Sequence, residues 1–300
     1  MKKYLAFSVA AATLLMAGGD VKPVAPVVAA ATDMGTVFGQ LRSFYVDRTY
    51  SGTTNNNRNS LNIGGYVGYT TPSISGLKFT AAAYGTYGFE IHDTDAKTAP
   101  SYTYDNSLYG LNGENYAFIG QAYLDYTNGK TNVKVGRQKL DTPMAGSDDA
   151  RMLPNLFEAA VITNTDIENT TLVAAHVTKE TVGTFGNIYV GAANDGLGIY
   201  SGYGHGISAA NPIGFSGDFV SMGQIALGAD AAYKTDGVTA VAAIHTYDNG
   251  LVLQAWDYYA YDIVNVVYAQ ADMPWTCMLN SDVKMLGSLQ YINEKDIGDS

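Results

Sequence analysis

The run Asp148-Asp149-Ala150-Arg151 places two carboxylates and a guanidinium within a single turn of chain. In a narrow aqueous passage, charges of both signs set a local field and screen permeants by sign and size. Asp149 and Arg151 can instead pair with each other and pin the segment to a neighbouring wall. The two readings are compatible, and both stay open. Adjacent carboxylates can also offer oxygen ligands to Ca²⁺, although the chain has no EF-hand spacing, and no other cofactor is expected. Catalysis has little support. The four histidines (His92, His176, His205, His245) are scattered, and none sits in a His-Glu-x-x-His arrangement. No nucleophile-elbow motif accompanies the available serines, so an enzyme is not expected. Gly202-Tyr203-Gly204-His205-Gly206 superficially resembles a phosphate loop. It lacks the following Lys and the strand–helix context, and reads as an outer connection.

The elements that must position these charges are strands. In Leu61-Asn62-Ile63-Gly64-Gly65-Tyr66-Val67-Gly68-Tyr69-Thr70, Leu61, Ile63, Val67 and Tyr69 form one set. Asn62, Gly64, Tyr66, Gly68 and Thr70 form the other. Successive strand side chains point to opposite faces, so such a segment separates two environments. Twelve segments read this way: 36–47, 59–71, 77–90, 116–127, 131–138, 157–164, 170–179, 223–234, 238–247, 251–261, 263–272 and 283–292. About ten residues per segment, repeated along the chain, predict an all-β, antiparallel, up-and-down transmembrane β-barrel.

The polar face of each strand is expected to line the lumen, because Lys or Arg facing mid-bilayer lipid costs about 2–4 kcal/mol. That assigns Gln40 and Arg42 inward, opposite Val37, Leu41 and Tyr45. It assigns Gln121, Tyr123 and Asp125 inward, opposite Phe118, Ala122, Leu124 and Tyr126. Lys134 opposes Val133 and Val135, and His176 opposes Val173, Ala175 and Val177. With Arg42 and Lys134 on one wall and Asp125, Asp148 and Asp149 elsewhere, a field across the lumen is conceivable.

The connections alternate in length. Those at 71–76, 128–130, 166–169, 235–237 and 261–262 are tight, with turn chemistry from Gly, Asn, Asp and Pro. Those at 49–58, 91–115, 139–156 and 180–222 are long, and only Asp248-Asn249-Gly250 breaks the rule. Short turns on one side of a membrane and longer loops on the other produce this parity.

Composition agrees. The 300 residues contain 33 Gly and 23 Tyr but only 15% charged residues, suited to packed strands and aromatic girdles. No stretch beyond the N-terminus is long and apolar enough for a helical span. A net charge of -11 argues against nucleic-acid binding. The start reads as a secretory signal over 1–19, with Lys2 and Lys3 before an apolar core and cleavage possible as late as 30; the barrel then occupies 31–300. The lone Cys277 has no intrachain disulfide partner.

Gly136-Arg137-Gln138, then Pro143, Asp149-x-Arg151-Met152-Leu153-Pro154 and Phe157-Glu158, resemble the OprD-type outer-membrane porins. The segments Gly39-Gln40-Leu41-Arg42-Ser43-Phe44-Tyr45, Gly64-Gly65-Tyr66-Val67-Gly68-Tyr69 and Gln254-Ala255-Trp256-Asp257-Tyr258-Tyr259 are also similar to that family. The resemblance implies an outer-membrane channel for passive diffusion of small hydrophilic solutes, of about 18 strands, with its third outer loop folded inward as a constriction. The segment 139–156 falls in that third position. Asp148, Asp149 and Arg151 are then the expected constriction residues, and Gln40, Arg42, Gln121, Asp125, Lys134 and His176 the expected lumen residues. Twelve segments fall short of the implied number, so the barrel is expected to lack its C-terminal strands. The expected partners are the outer-membrane bilayer, small permeants and, in a homo-oligomer, other copies of the chain. Glu158-Ala159 departs from the family's Glu-Gly. A plugged structural or adhesive barrel whose outer loops bind partners is the alternative.

Overall fold

The computed structural model describes residues 34–48, 58–89, 91, 104–110, 113–188, 216–227 and 235–298. The expected leader and Gly202-Tyr203-Gly204-His205-Gly206 lie outside them. Among the described residues twelve strands are present: β1 Thr36–Arg48, β2 Arg58–Thr70, β3 Leu77–Phe89, β4 Tyr116–Asn128, β5 Thr131–Gln138, β6 Leu156–Asn164, β7 Thr170–Thr181, β8 Val220–Ser221, β9 Val238–Thr246, β10 Val252–Ala260, β11 Val264–Thr276 and β12 Lys284–Asp296. Eleven follow one another in sequence order as antiparallel neighbours, and the two-residue β8 attaches to β7.

Alternation determines what each face meets. Along β1, Val37, Leu41 and Tyr45 are exposed, Leu41 at 80%, while Phe38, Gln40, Arg42, Phe44 and Val46 are half-buried on the other side. The exposed apolar set continues through Ile63, Val67 and Tyr69 of β2, Phe79 and Tyr87 of β3, and Leu124 and Tyr126 of β4. This outward face carries the side chains a water-soluble sheet would bury, as lipid contact requires. Leu41→Arg should therefore destabilise the folded state in bilayers by about 2–4 kcal/mol in a denaturant titration. A neutral result would place Leu41 away from hydrocarbon.

The inner face is packed. Tyr66 stacks on Tyr84 at 4.9 Å, and Phe38 and Phe118 flank them at 6.2 and 6.0 Å. Met152, Leu153 and Leu156 are fully buried against this row. Each such side chain contributes about 1.5–3 kcal/mol on leaving water. A second cluster joins Trp256, Tyr258, Val266 and Tyr268 to Val173 and Ala175.

Three expectations need correction. The segment 223–234 does not add a strand over its described part, because Met222–Leu227 is a short helix, α1. Ser221 Oγ accepts from the Gln224 amide while Gln224 Oε1 accepts from the Ser221 amide, both at 3.3 Å. That Ser-x-x-Gln capping box specifies a helix start. β9 consequently pairs directly with β7, from Thr170↔His245 to Val177↔Val238. The Asp248-Asn249-Gly250 turn then falls on the side of the other short turns and obeys the parity. The tight turn after β10, through Asp262, becomes the exception.

Phe118 also changes face. Ala82 pairs with Gln121 and Ala83 with Ile119, leaving Gly120 as an extra residue. This bulge shifts the alternation, so Phe118 points inward with Gln121, Tyr123 and Asp125. A Cβ on Gly120 would meet the Tyr84 ring at 2.5 Å and Leu156 Cδ1 at 2.6 Å, so only glycine fits. The third correction concerns His176. Val173 and Ala175 pack in the Trp256 cluster and Val177 beneath Phe157, which turns His176 to the outward face.

Candidate functional site

The connection between β5 and β6, residues 139–155, is termed L3. Its Asp149 carboxylate is gripped from β1: Arg42 Nη1 donates to Oδ1 at 2.5 Å and Nη2 to Oδ2 at 2.8 Å. Lys139 Nζ, at the loop's own start, lies 3.2 Å from Oδ2. Arg42 Nη1 also donates to the carbonyls of Arg151 and Met152 at 2.8 and 3.3 Å, and Nε to Gln40 Oε1 at 2.8 Å. Gln40 thus orients the guanidinium, and the fork serves side chain and backbone of the loop at once. The side chains are 14% and 22% exposed, so water screens the pair weakly.

Burial alone pushes the Asp149 carboxyl upward. The hydrogen bond from Arg42 and the charges of Lys139 and Arg42 outweigh that and hold it below the usual carboxylate range. The same contacts bear on Ca²⁺. Both Asp149 oxygens already face Arg or Lys, so this donor set does not suit a further cation.

The loop is braced elsewhere. Asp141 Oδ1 accepts from the Ser147 amide at 2.9 Å and from its hydroxyl at 2.5 Å. The Asn155 amide donates to the Ser147 carbonyl at 2.6 Å. Leu140 and Ala145 pack on Phe157, Ala159 and Val177. At the far side, the buried Tyr258 hydroxyl of β10 lies beside Thr142 and Met144. L3 therefore runs across the inner face from β1 to β10, and the sheet curls around it.

A second layer rests on L3. The Leu153 backbone bonds Thr184 twice, its amide donating to the hydroxyl at 3.1 Å and its carbonyl accepting from the amide at 3.0 Å. The short 3-10 turns Asn106–Leu108 and Thr184–Ile188 lie against each other. Asn62 and Thr86 of the wall donate to the Leu108 carbonyl at 3.0 and 2.8 Å.

The structure thus brings Gln40, Arg42 and Asp149 together, and it splits Asp149 from Arg151 in role. Arg151 Nε donates to Ser107 Oγ at 3.3 Å, and its guanidinium lies 5.5 Å from the Phe44 ring and 5.2 Å from that of Phe185. Asp148 is exposed in the left-handed region, at φ 42. Gln121, Asp125 and Lys134 share the inner face nearer the short turns. Asp125 is flanked across the ladder by Lys78 and Lys134 and accepts from Asn132 at 2.5 Å. Arg42 lies against Asp149, and Lys134 stands across the ladder from Asp125, so these four charges are set in neighbouring opposite-sign positions. Sequence reasoning passed over Lys139, Lys78, Ser107 and Tyr258, none of which stands in a recognisable spacing to its partner.

Known proteins supply the comparison. The family described as outer membrane porin, OprD family, matches residues 33–184. No curated protein sequence matches the chain. OpdK of Pseudomonas aeruginosa is similar in structure at TM-score 0.58 and 15% identity, over 87% of this chain and 56% of that one. A BenF-like porin of Pseudomonas fluorescens Pf-5 gives TM-score 0.61 and 17% identity over 89% and 59%. OccAB4 of Acinetobacter baumannii gives TM-score 0.60 and 14% identity over 88% and 60%. The chain spans less than two thirds of the length of each of these structures. The shared architecture is an all-β, up-and-down barrel wall.

Proposed function

Because the chain belongs to the OprD family of outer-membrane porins, we propose that it forms a water-filled channel there for passive diffusion of small hydrophilic solutes and ions, with L3 as its constriction. The observation that carries this reading is the clamp of Arg42 and Lys139 on Asp149, which holds a loop against the inner wall. A constriction needs such a fixed loop, since a free one would leave pore width undefined. In this reading Asp148 and Arg151 present charge to permeants, while Asp149 is occupied in holding the loop. Gln40, Arg42, Gln121, Asp125 and Lys134 line the lumen, and His176 does not. Residues 1–19 act as the export signal, with cleavage as late as 30. A diffusion channel has no turnover, so no residue is assigned a catalytic role.

Planar-bilayer recording tests the proposal. Purified folded protein should give discrete ohmic steps in salt. Asp148→Asn should move the reversal potential in a salt gradient toward anion preference without changing step stability. A folded barrel that stays electrically silent would sink the channel reading. The stacked turns above L3 would then act as a plug, in a structural or adhesive barrel.

A further inference from the structure

The inner faces of β10, β11 and β12 carry three glutamines in one ladder row. Gln254 stands opposite Gln270, and Gln270 stands opposite Gln290. Their inward direction follows from Trp256 and Tyr268, which lie two residues away on β10 and β11 in the buried inner cluster. The row sits on the short-turn side of that cluster. Gln254 and Gln270 are half-buried, and Gln290 is exposed.

The hydrogen bonds fix how each amide is turned. An indole N–H can only donate, and Trp256 Nε1 donates to Gln254 Oε1 at 2.9 Å. The Gln254 amide nitrogen therefore points away, and its N–H groups meet no partner among the described residues. An ionised carboxylate can only accept, and Asp272 accepts from Gln270 Nε2 at 2.8 and 2.6 Å. Gln270 Oε1 is then turned to β12 and accepts from Gln290 Nε2 at 3.0 Å. Gln290 Nε2 also donates to the Tyr268 hydroxyl at 2.9 Å, so both of its protons are used. That leaves Gln290 Oε1 as an open acceptor among the described residues. Ser288 donates to Asp272 Oδ1 at 2.6 Å, so the carboxylate beside the row is already engaged.

The row thus presents donors at one end and an acceptor at the other, two strands or about 10 Å apart. A hydroxyl both donates and accepts, so a run of hydroxyls can satisfy both ends. Ions are poorly served. Among the described inward residues of β9–β12 the one Lys or Arg is Lys284, which donates to Thr276 at the turn at 2.8 Å. A permeant anion finds no cation beside the row, and a permeant cation finds Asp272 occupied.

We propose that this glutamine row is a subsite for uncharged, polyhydroxylated solutes about as long as a disaccharide. It deepens the channel reading above, from which it takes a lumen that admits solute. A few hydrogen bonds exchanged against water hold such a solute weakly, as passage requires. Trp256 and Tyr268 supply polar edges rather than a stacking face, since both rings are buried.

Maltose added to the purified full chain in planar bilayers should reduce the ion current saturably. Tetraethylene glycol dimethyl ether, which accepts hydrogen bonds but donates none, should reduce it only in proportion to its concentration. Gln254→Leu should raise the half-blocking maltose concentration severalfold. Gln254→Glu keeps the acceptor for Trp256 and removes the N–H donors, so it should do the same. Gln290→Leu repeats the test at the exposed end, and heat-modifiable migration on gels verifies that each variant is folded. Half-blocking concentrations unchanged in the folded variants overturn the proposal. So does an equal saturable block by the ether, or a tighter one by maltobionate, the carboxylate analogue of maltose. The chain has two tryptophans, so Trp275→Phe leaves Trp256 as the sole indole. Its emission should change with maltose at the same half-saturation as the current. A silent barrel whose emission saturates removes the channel and leaves the subsite standing. Ohmic steps with neither response remove the subsite and leave the channel.

Discussion

Arg42→Ala is expected to widen and unsettle the channel, giving larger single-channel steps with higher open-state noise than the unmodified protein. Arg42 serves four acceptors at once: the Asp149 carboxylate, the carbonyls of Arg151 and Met152, and Gln40. Its loss leaves Asp149 with Lys139, which begins the same loop and cannot tie it to the wall. Breaking a fully buried ion pair costs about 3–5 kcal/mol through the uncompensated charge left behind. The pair here keeps some contact with water, so a loss of about 2–3 kcal/mol in folding stability is expected. Arg42→Lys should recover part of the stability and little of the quiet conductance, because an ammonium cannot span a carboxylate and two carbonyls together. Steps of unchanged size and noise in Arg42→Ala would mean that packing of Met152 and Leu153 alone fixes L3.

The architecture was largely legible because period-two alternation is a local signal, and the sheet is built from neighbours in sequence. Eleven of the twelve strands lie where the pattern put them, within a few residues at their ends. The misplaced one shows the limit. Gly223 to Leu227 alternates plausibly, yet Ser221 and Gln224 cap a helix across the same residues. The parity of connections could not detect this, since dropping that strand only moves the one exception from Asp248-Asn249-Gly250 to the turn through Asp262. Phe118 was misassigned for a different reason. One unpaired residue, Gly120, inverts a face, and only the partner strand reveals the skip.

The candidate site was legible as residues and hidden as a constellation. Arg42 and Asp149 were each singled out for charge, but they lie 107 positions apart, and no local pattern couples them. Proximity in sequence favoured Asp149 with Arg151, whereas the fold sends Arg151 to Ser107 and two aromatic rings. His176 failed on a premise. A polar residue among valines was assigned to water, but the inner face of β7 is a packed cluster, and the polar group lies outside it. In a barrel with an inward loop, the inside is partly core, so polarity alone does not identify the lumen.

Acid is expected to do to the unmodified protein what Arg42→Ala does at neutral pH. Burial raises the Asp149 carboxyl, but the Arg42 hydrogen bond and the charges of Lys139 and Arg42 prevail and leave it below the usual range. An unfolded aspartate titrates near 3.9, so the folded value lies lower still. A depressed carboxyl stabilises the clamped form fully above the unfolded value, and that contribution disappears as pH falls through the folded one. Step size and noise should therefore be constant from neutral pH down to about 4 and rise only below it. Asp149→Asn keeps the shape but removes the charge Arg42 holds, so it should be noisy at every pH and show no acid transition. Asp148→Asn should retain the transition, because it leaves in place the Asp149 carboxylate and the Arg42 guanidinium that grips it. An opening transition above the ordinary aspartate range, or one that survives in Asp149→Asn, would assign the gate to another group.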